Sequence, residues 1–587
     1  MSSFLSADWP DLAPRPEGPP WWGVIASAFV VLLFGATVFL LRDIGRIKHD
    51  LTGGQDALSH LQLTQLDSRQ SIENTLGKAH QQLQAGASLA RQSVWLRLLA
   101  PLPKVGPQIA AARALSASAA QVGNLAYQAA LQARAQLDAP RPGPAARLHL
   151  IDELRQDMAT LDRQLGQVPT TTHGHLISTL AKAKVKLTTK LGQARSELRD
   201  GLTMTATLRT LLAGPKTYLI LAGNNAEMRS GGITTAAGLV HFQGGAIVTS
   251  PFISSFDLFL PDAKAVTPPP DIARLYGWMF PGQEWRTTDT SPNWPEVAQL
   301  YSQMSANSSF GKVDGVMFVD VVTLHSVLSV IGPVTVDGFK YTASNVLGQL
   351  LYTNYLLYPT PESDQTRRDV QSDVARAAFG QLQNGKFSLP ALAQQLEQDA
   401  KGRHLMAWSP DPAEEAMWTK LGAAGSLGAN DLMVSVQNLS ASKLDFFIKP
   451  IVTMAVQQFA DHQRVDLYVT ITNPRRTLTS PYIEGGTCCV LPGDQRIYQL
   501  FYLPGAAYKI DSYTPEFSTI GTDGPMEVVG MIYIVPYSQT TQVHISFYLP
   551  PSLTSVTVLP SSRLTPEQYS VNGAFHLSDA VAGKLPI

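Results

Sequence analysis

Cysteine is almost missing from this chain: 2 of 587 residues, Cys488 and Cys489, and they are adjacent. Adjacent thiols cannot build a disulfide framework, and no CxxC or Cys/His set is present for zinc. A vicinal disulfide is strained, which favours two thiols. A surplus of either charge is lacking too. Lys plus Arg is 45 and Asp plus Glu is 46, so no overall field draws the chain to nucleic acid. The sequence has no GxxxxGK[ST], no HExxH and no GxSxG. Their absence removes the P-loop, the zincin site and the nucleophile elbow. The histidines of the HGH stretch, His173 and His175, lie in a loop and make no metal set by themselves.

What is there is a globular composition, 44% hydrophobic and 16% charged. The length exceeds what one core holds, so roughly three folded units are expected. Residues 21–41, WWGVIASAFVVLLFGATVFLL, carry no charge and match the hydrocarbon thickness of a bilayer. Trp21 and Trp22 suit one interface, and Arg42, Arg46 and Lys48 end the run at the other. A cleaved leader would be shorter in its apolar part and basic before it. A single transmembrane helix is therefore expected, after a short tail at residues 1–20. The flanking charges alone would leave the C-terminal side in the cytoplasm, a rule that weakens when a long domain follows.

Residues 42–212 read as a helical stalk or bundle. Ile151, Leu154, Met158, Leu161 and Leu165 recur every three or four residues, as do Leu187, Leu191, Ala194 and Leu198. Lys182, Lys184, Lys186 and Lys190 read as a solvated face. The period changes at Gly214-Pro215. KTYLILAG and VDGVMFVD are buried strands, ITTAAGLVHFQGGAIVTS is a hairpin, and Asp337-Gly338 turns another. Ser344 is the expected N-cap of a following helix. Strands alternating with helices make residues 213–428 an α/β domain. From 429 to 587 the pattern is period two, an antiparallel β-sandwich with a C-terminal tail. The abrupt change predicts that residues 213–425 fold without the sandwich. The whole is a multidomain α+β chain.

The stretches WLRLLAPLPKVGPQIAAARAL, YLILAGNNAEMRSGG, KVDGVMFVDVVTLHSVLSVIGPVTVDG and GRHLMAWSPDPAEEAMWTKLGAAG occur in an order that resembles the bacterial domain-of-unknown-function 4012 family. That resemblance implies a bacterial envelope protein, attached to the cell membrane by one span, with its large C-terminal part outside the cytoplasm. The succession of strand, Arg-bearing loop, hairpin and VDG strand is also similar to the LytR-CpsA-Psr proteins. These are membrane-anchored phosphotransferases that move glycopolymers from polyprenyl-pyrophosphate carriers to the cell wall. The second resemblance implies a LytR-CpsA-Psr-like central domain, arginines on a pyrophosphate, carboxylates on magnesium, and a polyprenyl-phosphate lipid or cell-wall polymer as partner. The Arg-x-Asp and Pro-Arg-Asp motifs of that family have no clear counterpart here.

Ligands of α/β sheets gather beyond the carboxyl ends of strands. The segment Gly223–Gly232 belongs there, with Asn224, Asn225, Glu227 and Arg229 inside it. A guanidinium grips phosphate with two N–H groups, and a carboxylate holds a magnesium that bridges phosphate oxygens. Gly231 and Gly232 would let backbone approach a ligand. WRTTDTSPNWP adds Arg286, Asp289 and Trp294, the last a surface on which lipid or sugar would pack. The phosphate-binding candidates are thus Arg229, Arg286, Asn224 and Asn225, and the magnesium candidates Glu227 and Asp289. Two readings follow: a pyrophosphate-lipid binder or transferase, and a non-catalytic envelope scaffold. They separate on whether the guanidiniums of Arg229 and Arg286 converge on one cleft with a carboxylate or point to different faces, which would favour the scaffold.

Overall fold

The computed structural model describes residues 68–587, except 94–95, 98–99, 140–142, 173, 361–362, 385–386 and 487–489. The expected tail and membrane span, His173 and both cysteines lie outside the described residues. No described helix is long and apolar enough to cross a membrane.

After a short helical lead-in at Arg69–Gly77 come four long helices: α1 (Lys78–Gln92), α2 (Gly106–Asp138), α3 (Pro144–Gly166) and α4 (Ser178–Ala213). Pro107 and Pro144 sit in the first turns of α2 and α3, where a missing N–H costs nothing. The expected stripes face inward. Leu161 and Leu165 of α3 and Leu187, Leu191 and Leu198 of α4 join Leu83 of α1 and Leu115 and Val122 of α2 in one core. Asp162 of α3 takes hydrogen bonds from Arg195 (2.7 Å) and Arg199 (3.3 Å) of α4. The helix α4 ends at Gly214, whose φ of 63° turns the chain into the first strand.

That strand, β1 (Lys216–Met228), is central in a six-stranded sheet. It pairs antiparallel with β2 (Gly232–Gln243), and β2 with β3 (Ala246–Thr249) through the expected Gly244-Gly245 turn and with β4 (Ile253–Ser254). On its other side β1 runs parallel to β5 (Gly315–Asp320). Helix α5 (Trp294–Asn307) precedes β5, and α6 (Val321–Ile331) follows it, capped by the Asp320 side chain on the Val322 and Thr323 amides. The hairpin β6 (Val334–Val336) and β7 (Phe339–Tyr341) turns at Asp337-Gly338, both at positive φ. The next helix is capped by Thr342, not Ser344. Asn345 accepts the Thr342 amide while Thr342 accepts from the amide of Asn345, a reciprocal box Ser344 cannot form. Helices α7 (Asp364–Asn384) and α8 (Leu389–Lys401) lead to β8 (Leu405–Trp408), antiparallel to β5, and α9 (Pro412–Lys420). The sheet is mixed, with only one parallel pair.

The remaining strands are β9 (Asp431–Asn438), β10 (Ile451–Gln458), β11 (Gln463–Thr472), β12 (Gln495–Leu503), β13 (Tyr508–Thr514), β14 (Thr519–Asp523), β15 (Met526–Val535), β16 (Thr540–Leu549), β17 (Ser555–Val558), β18 (Gln568–Val571), β19 (Phe575–Ser578) and β20 (Gly583–Pro586). They form two six-stranded sheets, ordered β13-β16-β11-β10-β18-β19 and β14-β15-β12-β9-β17-β20. Alternate residues of both, such as Val465, Leu467, Phe501, Met531 and Ile545, fill one core between them. The expectation of a wholly antiparallel sandwich with a tail needs correction. β17 pairs parallel with β9, and β18 parallel with β10. The last residues are therefore strands built into both sheets.

The central domain and the sandwich share a second core. Leu219, Trp285, Trp294 and Phe318 from the first pack with Met433, Tyr498, Tyr502 and Val528 from the second. Arg274 Nε donates to the Ile520 carbonyl (2.9 Å), and the Tyr498 hydroxyl to the Leu275 carbonyl (3.0 Å). This seam runs against the expectation that residues 213–425 fold alone. The change of period marks a change of secondary structure and not a break in packing. Trp294, expected at a surface, is 2% exposed and stands with its ring centre 6.0 Å from that of Phe318.

Candidate functional site

The candidate segment is not a loop beyond β1. Strand β1 continues through it to Met228, with register shifts against β2 at Ala222/Gly223 and at Asn224/Met228. Bulges of this kind absorb extra residues and re-aim side chains. The glycines serve strand contact and not ligand approach. A Cβ on Gly232 would sit 2.7 Å from the Asn224 carbonyl carbon, and one on Gly223 would sit 2.3 Å from the Phe318 ring.

The bulged end divides the candidate residues between two networks. Asn224 Nδ2 donates to the Tyr355 hydroxyl (2.9 Å). Asn225 Nδ2 instead reaches Asp320 Oδ2 (2.7 Å) and the Ser562 carbonyl (3.0 Å). Asp320 also meets His404 Nδ1 at 2.6 Å, so Asn225 lies in a buried Asn-Asp-His group that caps α6 and ties it to β8. It is separate from the arginines.

Glu227 is buried and paired on both oxygens, with Lys443 Nζ and with Arg229 Nη2 (3.4 Å). Burial pushes its carboxyl up, but Lys443 and Arg229 outweigh this, Arg286 adds to them, and the pKa falls below the usual value. Lys443 is pulled down by burial and held up by Glu227, with a net rise. Arg229 is also buried, and its Nη1 donates to the carbonyls of Met228 (3.0 Å) and Asn438 (2.7 Å). Two further ties lie beneath. Asp445 accepts the Met228 amide (3.1 Å) and pairs with Arg563 Nη2 (2.8 Å).

Arg286 lies toward solvent from this group. It pairs with Glu284 (2.5 Å) and places its guanidinium carbon 4.2 Å from the centre of the Phe256 ring. The Glu284 hydrogen bond raises its pKa against burial. Arg368 of α7 approaches the same ring at 5.3 Å and donates to Ser254 Oγ (2.9 Å). Asp364 joins Arg368 to Arg367, whose guanidinium lies 4.1 Å from the Tyr355 ring centre. Lys443 is 5.3 Å from that same ring. The contacts thus run in an unbroken chain: Arg286, Phe256, Arg368, Asp364, Arg367, Tyr355, Lys443, Glu227 and Arg229. Five cations meet three carboxylates (Glu227, Glu284, Asp364), which leaves the cluster net positive. Phe256 is 61% exposed and marks its open side.

Asp289 stands near Arg229 but belongs to the core. It accepts from Thr234 Oγ1 (3.0 Å), and burial pushes its pKa up to about 7 against the pull of Arg229. A magnesium ion requires ionised, hydrated oxygen ligands. Glu227 is already neutralised by two cations, and burial favours a protonated Asp289, so this pair does not fit the ion. Among the described residues no three His, Cys, Asp or Glu side chains gather as a metal set.

Arg367, Arg368, Lys443, Tyr355 and Phe256 escaped sequence reasoning. They come from four separate segments, and only the Arg367-Arg368 doublet on an otherwise acidic helix start offered a local signal. Residues 213–355 match the family model described as "Protein of unknown function (DUF4012)". The match covers the central segment from the end of α4 to Tyr355. No curated protein and no solved structure matches the chain.

Proposed function

We propose that this is a bacterial cell-envelope protein, held to the membrane by residues 21–41, whose central domain binds a phosphate-bearing lipid carrier at Arg286 and Arg368. One observation carries the binding reading. An exposed phenyl ring, Phe256, lies beside two half-buried guanidiniums at 4.2 and 5.3 Å inside a cluster of net positive charge. Guanidinium forks suit phosphate oxygens, and an apolar ring beside them suits the first carbons of an isoprenoid chain. Arg229 is committed to Glu227 and two carbonyls, so the binding reading rests on Arg286 with Arg368 beside Phe256 and not on a cleft that Arg286 shares with Arg229. The proposal concerns binding and assigns no bond-breaking step.

The test uses the full-length protein in detergent with geranylgeranyl pyrophosphate, and with inorganic pyrophosphate in a parallel arm. Arg286→Ala and Arg368→Ala should each weaken pyrophosphate-lipid binding by about tenfold or more, since a charge-assisted hydrogen bond is worth roughly 1.5–3 kcal/mol. Melting temperature should change little, because both side chains are partly exposed. Equal affinity in wild type and both variants would return the protein to the scaffold reading.

The envelope placement rests on the uncharged run at 21–41 and on the family resemblance. With Asn430→Cys in a variant lacking Cys488 and Cys489, a membrane-impermeant maleimide added to spheroplasts should label the protein. Labelling only after lysis would place the domains in the cytoplasm.

A further inference from the structure

The outer face of the sandwich sheet β13-β16-β11-β10 carries a pattern that its fold does not require. Period-two alternation sends Val465, Leu467, Val543 and Ile545 into the core and the residues between them outward. Outward positions form rungs across the strands. In one rung His544 stands between Tyr468 and Tyr513, with ring centres 4.0 and 4.2 Å away and planes within 15° and 4° of parallel. Four residues further along β16, about 13 Å by strand rise, Tyr548 stacks on His462 at 4.5 Å. Tyr508 meets the edge of Tyr548 from β13.

The rung between the aromatic ones is polar. Asp466 pairs in register with Ser546, and Ser546 with Asp511. Asp466 is held in place by His544 Nε2 (3.0 Å) and Arg464 Nη2 (3.1 Å), and the same Nη2 donates to the Tyr513 hydroxyl (2.8 Å). Arg464 Nε is buried and has no hydrogen-bond partner among the described residues. Tyr513, on an edge strand, is 57% exposed, and Tyr508 is 41% exposed.

We infer that this face is a glycan-binding platform, distinct from the cation cluster and independent of the phosphate-lipid reading. The apolar C–H face of a pyranose stacks on the electron-rich face of an aromatic ring, here the outer face of Tyr513, an edge-strand ring 57% exposed whose inner face lies on His544. The hydroxyls of the sugar need fixed donors and acceptors, which the Asp466, Ser546 and Arg464 rung supplies between two aromatic ones. Arg464 is matched by Asp466, and Lys509, 5.0 Å from the Tyr548 ring centre, by Asp511, so the face has no surplus of positive charge to draw a phosphate backbone or an anionic lipid headgroup. The ligand class is therefore a neutral or amino-sugar polysaccharide.

Affinity electrophoresis of the full-length protein, in a detergent without a sugar headgroup, tests this with soluble β-glucan, α-mannan and glycol chitin in the gel. At least one polymer should retard the wild type. Tyr513→Ala and Tyr548→Ala should remove most of that retardation, while Tyr513→Phe, which keeps the ring, retains it. Arg368→Ala should leave it unchanged, so failure here and failure of the lipid reading are distinguishable. A wild type that none of the three polymers retards overturns the inference. So does an alanine variant retarded like wild type.

Discussion

A protein ending at Gly425 is expected to lose its cooperative unfolding transition and not merely to melt earlier. The reason lies in the seam beside β1. Leu219, Trp285, Trp294 and Phe318 are at most 2% exposed in the whole chain, and Met433, Tyr498, Tyr502 and Val528 supply part of their cover. Each large side chain returned to water costs about 1.5–3 kcal/mol, and a domain's whole stability is about 5–15 kcal/mol. Polar losses add to this. Glu227 loses Lys443, Arg229 loses the Asn438 carbonyl, and the Met228 amide loses Asp445. Thermal melts followed by near-ultraviolet circular dichroism, for proteins ending at Gly425 and at Ile587, provide the comparison. A sigmoidal transition with retained tertiary signal in the shorter protein would show that the central domain is self-sufficient.

The second large effect concerns Arg229. Its guanidinium is buried, bonded to two carbonyls and paired with Glu227, so Arg229→Ala should destabilise the protein by about 3–5 kcal/mol, as removal of one partner of a buried ion pair does. Arg229→Lys should recover little, because an ammonium cannot span the Met228 and Asn438 carbonyls as the planar fork does. Loss of phosphate-lipid affinity in these variants would follow from unfolding, which is why Arg286 and Arg368 serve as the binding probes. Urea denaturation gives the measurement. A midpoint in Arg229→Ala equal to that of wild type would mean that Arg229 is not structural and faces a ligand.

The helices, most strands and both hairpins were legible because each rests on local periodicity or a two-residue turn. Leu187 to Leu198 faced inward as their spacing required, and Asp337-Gly338 turned as its φ preferences required. The short β8 escaped because four residues carry too little periodicity, and the parallel pairs of the sandwich escaped because register between distant segments leaves no local trace. At the site, residue type was informative and environment was not. Glu227, Arg229 and Arg286 do gather, yet their sequence could not show that Lys443 neutralises Glu227 from the sandwich side. Asn224 and Asn225, neighbours in the chain, reach different partners because β1 continues through them and successive strand residues point to opposite faces.

The order of strands has a bearing on how this protein comes to be folded. Strand β9 opens the sandwich, yet one of its neighbours is β17, with Leu432 registered against Val558. β10 likewise waits for β18, with Val452 against Tyr569. Contacts so distant along the chain close large loops, and such topologies fold slowly. Neither sheet is complete until β17 to β20 have been made. A newly made chain therefore spends its synthesis with β9 and β10 as open edges, able to pair with another molecule. A chain that stopped short of β17 would leave both β9 and β10 without these neighbours.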